Sequence, residues 1–134
     1  MRKIEHIGIA VKDLDVSNAL FEKLFGAPAY KAEEVASEGV TTSFFMNGPN
    51  KIELLAATNP DSPIAKFLEK KGEGIHHIAF DVEDIVSEIA RLQQEGFVVL
   101  NETPKKGADN KLVAFLHPKS TNGVLIELCQ EILQ

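Results

Sequence analysis

The sequence predicts an α+β fold built from two copies of one strand–helix–strand–strand–strand module, and three observations carry that reading. A segment repeats: Ile4-Glu5-His6-Ile7-Gly8-Ile9-Ala10-Val11-Lys12-Asp13-Leu14 returns as Ile75-His76-His77-Ile78-Ala79-Phe80-Asp81-Val82-Glu83-Asp84-Ile85. Each copy then leads, after a similar interval, to a strand-like run with one central glutamate, Lys51-Ile52-Glu53-Leu54-Leu55 and Leu125-Ile126-Glu127-Leu128-Cys129. Between these anchors, alternating and helix-period stretches come in the same order in both halves. With only two copies, and a spacing longer than the roughly 20 to 50 residues of solenoid repeats, the pattern is a duplication whose halves pair. A length of 134 residues with 44% hydrophobic content suits one domain. Repeat one then covers about 1–60, a linker helix about 61–73 and repeat two about 74–134.

The elements follow in order. Residues 3 to 11 alternate and are rich in Ile and Val, as a strand requires. Asp13 or Asp15 can cap a helix running through about Phe25, with Val16, Leu20 and Leu24 on one stripe and Gly26 placed to end it. Strands are expected near 29–35, 40–47 and 51–57, the last two joined by the turn Asn47-Gly48-Pro49-Asn50. The linker helix has Ser62 as N-cap, Pro63 at its first position and Gly72 just past its end. In the second half a strand over 75–82 precedes a helix over 84–95, whose Ile85, Ile89 and Leu92 share a face and which Gly96 ends. Further strands are expected near 97–101, 111–117 and 122–129. Thr103 to Asn110, containing Lys105, Lys106 and Gly107, is the loosest stretch and the candidate lid or substrate-facing loop.

Strand alternation says which side chains point together. His6, Gly8 and Ala10 share one face while Ile7, Ile9 and Val11 share the other; His77 and Ala79 oppose Ile78, Phe80 and Val82. The bulky face is the one expected to pack on helices, and the histidine face is lined by small residues that leave room for a ligand. Glu53 and Glu127 likewise project away from their apolar neighbours. Any one of these four residues taken alone is an ordinary surface or hydrogen-bonded side chain. Their repeat-related placement points instead to one pseudo-symmetric divalent-metal site with ligands His6, Glu53, His77 and Glu127. Two imidazoles and two carboxylates without thiolate suit Co²⁺, Ni²⁺, Mn²⁺, Fe²⁺ or Zn²⁺. Such an ion acts as a Lewis acid beside a carbonyl, and a nearby glutamate serves as base. His76 points to the opposite face and reads as structural, and His117 in Leu116-His117-Pro118 reads as a loop residue.

Composition excludes other classes. A net charge of −6 argues against a nucleic-acid partner, which usually shows as a basic excess. No apolar run approaches the roughly 20 residues needed to span a bilayer, and Met1-Arg2-Lys3 leads into a strand pattern, so no membrane is expected. The single Cys129 has no intrachain partner and fits the reducing cytoplasm as a packed strand residue.

These residues resemble the vicinal oxygen chelate superfamily of glyoxalases, bleomycin resistance proteins and dioxygenases, in which paired βαβββ modules form a cupped mixed sheet around a metal. Within it the chain is most similar to the methylmalonyl-CoA epimerase family, on His6-Ile7-Gly8-Ile9-Ala10-Val11, Asp61-Ser62-Pro63-Ile64-Ala65-Lys66-Phe67-Leu68, Gly74-Ile75-His76-His77-Ile78-Ala79-Phe80, and Phe115-Leu116-His117-Pro118-Lys119-Ser120 with Gly123-Val124-Leu125-Ile126-Glu127-Leu128. By that resemblance His6, His77 and Glu127 match metal ligands, and position 53, often Gln in the family, is Glu here. The resemblance implies inversion at C2 of methylmalonyl-CoA through an enolate, with Glu127 as base and Glu53 as its counterpart. Some members carry another acid where this chain has Thr42, which cannot replace a carboxylate. Lys119 and Ser120 are the implied contacts of the substrate carboxylate or the CoA phosphates, and a homodimer is the implied assembly. The rival enzyme is glyoxalase I, lactoylglutathione lyase, acting on a glutathione hemithioacetal with the same ligand set. A non-catalytic antibiotic-binding protein is the alternative of another class, and retention of all four ligand-type residues counts against it.

Overall fold

A computed structural model of the chain describes residues 1–133. These form two compact units, one of His6–His76 and one of Met1–Glu5 together with the chain from His77 onward. Both follow the strand–helix–three-strand plan, and among the described residues there are eight strands and three α-helices.

The unit His6–His76 takes in β1 (Lys3–Ala10) from His6 on, followed by α1 (Leu14–Phe25), β2 (Lys31–Val35), β3 (Val40–Asn47), β4 (Asn50–Ala57) and α2 (Pro63–Lys71). Its strands lie in the order β2-β3-β4-β1, with β4 parallel to β1 and the other pairs antiparallel. The β3–β4 turn is tight, with Asn47 paired to Asn50 and Gly48 at φ 62, where a two-residue hairpin loop favours glycine. The Asp13 carboxylate accepts the Val16 N–H at 3.1 Å and starts α1, and Gly26 ends it with φ 75.

One helix face departs from the sequence reading. Val16, Leu20 and Leu24 are 61 to 67% exposed, and the helix packs instead through Leu14, Phe21 and Phe25. The two phenylalanines, one helical turn apart, stand over Phe45 with ring centroids 6.3 and 5.6 Å away. Aromatic rings bury more surface than the branched aliphatic stripe does, so they set the rotation of the helix. Val11, Leu54 and Ala56 complete this cluster.

The other side of the same strands carries α2. Ser62 Oγ accepts the Ala65 N–H at 3.1 Å, Pro63 begins α2, and Gly72 at φ 77 follows it, as the sequence predicts. Ile64, Phe67 and Leu68 of α2 pack on Ala10, Val40 and Leu55. By strand register these three share the face of His6 and Glu53.

The second unit contains β5 (Gly74–Asp81) from His77 on, then α3 (Ile85–Gln94), β6 (Lys105–Lys106), β7 (Lys111–Leu116) and β8 (Ile126–Glu131), in the order β5-β8-β7-β6. Again the first and last strands, β5 and β8, are parallel. Asp84 caps α3 through the Ser87 N–H, and Ile85, Ile89 and Leu92 are buried on Val82, Ala114, Leu116 and Leu128 as their spacing predicts. The chain start is tied in by Arg2, whose backbone N–H reaches Asp81 O at 2.8 Å and whose Nε reaches the Asp81 carboxylate at 2.7 Å.

Two strands lie elsewhere than expected. Residues 97–101 contribute one bridge, Val99 with Leu116, because the Asn101 side chain takes the Phe115 N–H at 3.0 Å and interrupts the backbone ladder. The edge position is filled by Lys105–Lys106, inside the stretch read as a loose loop. The strand expected from 122 begins at Ile126, since Asn122 at φ 56 and Gly123 at φ 84 are in the left-handed region, which no strand accommodates. No helix among the described residues is long and apolar enough to cross a membrane.

Candidate active site

Each unit holds one buried imidazole–carboxylate pair, and these are the four residues singled out by the repeat. In the first, β1 supplies His6 and its parallel neighbour β4 supplies Glu53. His6 Nδ1 lies 3.1 Å from Glu53 Oε2, and the two residues are 5% and 4% exposed. In the second, β5 supplies His77 and its parallel neighbour β8 supplies Glu127, with His77 Nε2 3.2 Å from Glu127 Oε1 and exposures of 5% and 6%.

Register explains why both pairs form. Gly8 is the partner of Glu53 and Ala79 the partner of Glu127, so the glutamate stands beside a small residue two positions after the histidine. A larger side chain there would fill the space the imidazole leans into. On the antiparallel side Phe44 is opposite Glu53 and Phe115 opposite Glu127. The Phe115 ring meets His77 edge-on, at 6.1 Å between centroids and 86° between planes. Apolar walls of this kind raise the cost of leaving a carboxylate without a counter-charge or donor.

The donor set fits a divalent cation. Imidazole nitrogens and carboxylate oxygens are ligands for borderline and hard ions, and all four residues have donor atoms suited to holding one. Buried carboxylates without a cation would be driven toward protonation, which a bound ion relieves. Glu5, 4% exposed, is a further buried carboxylate among the candidate donors, and the sequence reading does not single it out; its one signal is a place between Ile4 and His6 in a strand rich in isoleucine.

The remaining expectations sort by location. His76 is half-buried and stacks edge-on against Phe67 at 4.9 Å; burial pushes its imidazole down to about 4, so it is a neutral packing residue at ordinary pH. His117 accepts the Lys119 N–H on Nδ1 at 3.0 Å and starts the 3₁₀ turn Pro118–Ser120. In that turn Ser120 Oγ donates to His117 O at 2.9 Å and accepts the Val98 N–H at 3.3 Å, while Lys119 is exposed. Cys129 is fully buried, and its Sγ lies 2.7 Å from Glu127 Oε2, a contact the sequence reading missed.

Comparison with known proteins agrees with this architecture. Residues 5–115 match the Glyoxalase/Bleomycin resistance protein/Dioxygenase superfamily. The ethylmalonyl-CoA/methylmalonyl-CoA epimerase of Cereibacter sphaeroides is 44% identical over 130 residues, 96% of this chain and 97% of that protein. A variant of Streptomyces coelicolor methylmalonyl-CoA epimerase, solved in complex with 2-nitronate-propionyl-CoA, superposes with a TM-score of 0.93 at 35% identity and covers 98% of this chain and 95% of its own. A methylmalonyl-CoA epimerase solved with methylmalonyl-CoA and NH4+ gives the same TM-score, identity and coverage. The mixed α+β architecture of eight strands and three helices is that of these glyoxalase-like structures, as the sequence predicted. Matched over most of its length by the family and over nearly all of it by epimerases within it, the chain belongs to the Glyoxalase/Bleomycin resistance protein/Dioxygenase superfamily.

Proposed function

We propose that this chain is a metal-dependent epimerase that inverts C2 of methylmalonyl-CoA, its two modules acting as one domain around one divalent ion. The observation that carries the reading is the buried histidine–glutamate pair repeated at equivalent positions in both modules, in a chain that has epimerases of this substrate class among its near full-length relatives. His6, Glu53, His77 and Glu127 would hold the ion, one of Co²⁺, Ni²⁺, Mn²⁺, Fe²⁺ or Zn²⁺. When bound it supplies a Lewis acid that favours negative charge on the thioester oxygen.

The proton work belongs to the side chains. Glu127 takes the α-proton from C2; the C–H electron pair moves into the C1–C2 bond, and the thioester carbonyl becomes an enolate. Protonated Glu53 delivers a proton to the other face of C2, the carbonyl re-forms, and the configuration is inverted with no net change in atoms or electrons. Both glutamates are buried, and in such a low-dielectric site a fixed donor or counter-charge acts on a developing charge more strongly than it does in water. Lys119 and Ser120 complete the reading as contacts for the substrate carboxylate or CoA phosphates, and the protein acts as a cytoplasmic homodimer, whose mass light scattering gives.

The test is α-hydrogen exchange of methylmalonyl-CoA in D₂O, followed by proton NMR, with protein loaded with Co²⁺ and with protein stripped of metal. Rapid exchange in the loaded sample alone, with loss of configuration at C2, is the expected result. Absence of exchange in the loaded sample rejects the reading and makes the glutathione hemithioacetal of methylglyoxal the next substrate.

A further inference from the structure

We infer that Cys129 is a positioning residue for Glu127, holding one carboxylate oxygen so that the other is presented in a fixed direction; the inference rests on the epimerase reading. Cys129 follows Glu127 by two along β8, so alternation sends both side chains to one face, and its Sγ lies 2.7 Å from Glu127 Oε2. Glu127 Oε1 is engaged by a different group, His77 Nε2 at 3.2 Å. A carboxylate turns readily about its terminal bond, which would exchange the two oxygens. Held at Oε2 by a thiol donor and at Oε1 by an imidazole, this one keeps its oxygens distinct.

The surroundings make a weak donor matter. The thiol is fully buried among Ala79, Val113 and Phe115, none of which offers a side-chain hydrogen bond. In such a setting a hydrogen bond to a charged oxygen is stronger than at a wet surface. Groups that orient a metal-ligating carboxylate from behind are worth about 10–100-fold in affinity or activity. The contact is also specific to one module. The residue two after Glu53 is Leu55, which has no donor, so the thiol distinguishes the two carboxylates of an otherwise duplicated arrangement.

The experiment compares the full-length Co²⁺-loaded protein with Cys129→Ala and Cys129→Ser, reading kcat and KM for α-hydrogen exchange, the visible absorption of bound Co²⁺, and urea unfolding. Cys129→Ala is expected to lower kcat about tenfold, leave KM unchanged and shift the cobalt band, and Cys129→Ser, which keeps a donor, is expected to recover most of both. If Cys129→Ala does not fold, Cys129→Val fills the space without a donor and carries the same comparison with Cys129→Ser. An exchange-active wild type whose Ala or Val variant keeps kcat and the cobalt band overturns the positioning role alone. A loss that Ser does not recover, with the band unmoved, also overturns it. A wild type that binds no Co²⁺ and exchanges nothing overturns the epimerase reading, and this inference with it.

Discussion

In the first module His6 meets its glutamate through Nδ1, and in the second His77 meets its glutamate through Nε2. The strands beneath are in the same register: a small residue beside each glutamate, a phenylalanine opposite it, and a parallel first and last strand. What differs is the surrounding chemistry. Thr42 faces Leu55 across the first module's antiparallel pair, and Val113 faces Cys129 across the second's. The polar atom has changed strands, from β3 in one module to β8 in the other, where it meets the carboxylate. Backbone ladders hold positions through a duplication, because a slip by one residue would turn every side chain to the wrong face. Side chains outside the two histidine–glutamate pairs are under no such constraint, and it is there that the modules differ.

The largest expected effect breaks the shared part of the arrangement. His6→Ala and His77→Ala should each lose bound metal and bring α-hydrogen exchange to background, since removing a ligand exceeds the roughly 10–100-fold cost of disturbing the group behind one. Metal content by plasma mass spectrometry, alongside exchange by NMR, checks this. Either alanine variant found active and metal-free would refute the metal site.

Next come the glutamates, where the modules should part. Glu127→Gln and Glu53→Gln each keep an oxygen for the ion but cannot accept a proton, so part of the metal should stay while turnover falls by about 10²–10⁴. With one glutamate assigned to each face of C2, as proposed, the losses should be stereospecific. With enantiopure substrates in D₂O, Glu127→Gln should suppress exchange of one enantiomer and Glu53→Gln of the other. Equal suppression of both enantiomers by both variants would show that the two carboxylates are not divided between faces.

Much of this is legible in the sequence, and what is not has physical causes. The cap Ser62, the cap Asp13 from the pair Asp13 or Asp15, and the terminators Gly26 and Gly72 sit where their chemistry places them, because capping is decided within a few residues. Alternation put His6 with Glu53 and His77 with Glu127 on matching faces for the same local reason. The facing of α1 was not legible, since Val16, Leu20 and Leu24 form as regular a stripe as Leu14, Phe21 and Phe25, and only packing on Phe45 decides between them. The displaced edge strand turns on one hydrogen bond that the Phe115 N–H gives to the Asn101 side chain, and the late start of β8 on two left-handed residues. Which imidazole nitrogen meets each glutamate, and the thiol on Glu127, depend on side-chain rotation that no periodicity encodes.

The helices give a smaller contrast between the modules, aromatic packing in α1 against aliphatic packing in α3. Phe21→Ala should cost about 2–3 kcal/mol, below the range for a fully buried ring because Phe21 is partly exposed, whereas Ile89→Ala should cost about 2–4 kcal/mol. Val16→Ala on the exposed stripe should stay within about 0.5 kcal/mol. Urea unfolding gives all three. A Val16→Ala variant as damaged as Phe21→Ala would mean that the exposed stripe is covered in solution.

One effect of opposite sign comes from the duplication itself. Ser43 is fully buried on β3, next to Phe44, and its Oγ has no hydrogen-bond partner among the described residues. In the second module the residue preceding Phe115 is Ala114, equally buried and packed directly into the core with Val82, Ile85 and Leu128. The second module therefore already contains the substitution that removes the unpaired hydroxyl. A buried polar group left without a partner costs about 1–3 kcal/mol, and replacing it by a methyl group leaves a similar shape with nothing to desolvate. Ser43→Ala should accordingly stabilise the protein by about 1 kcal/mol, read as a higher urea midpoint at unchanged slope. The face it occupies is the one packed beneath α1, opposite the side of β3 and β4 that carries Phe44 and Glu53, so exchange activity should not move. A destabilised Ser43→Ala protein would mean that the hydroxyl is satisfied in solution by a buried water, and that at this position the two modules have diverged for a reason of packing and hydration.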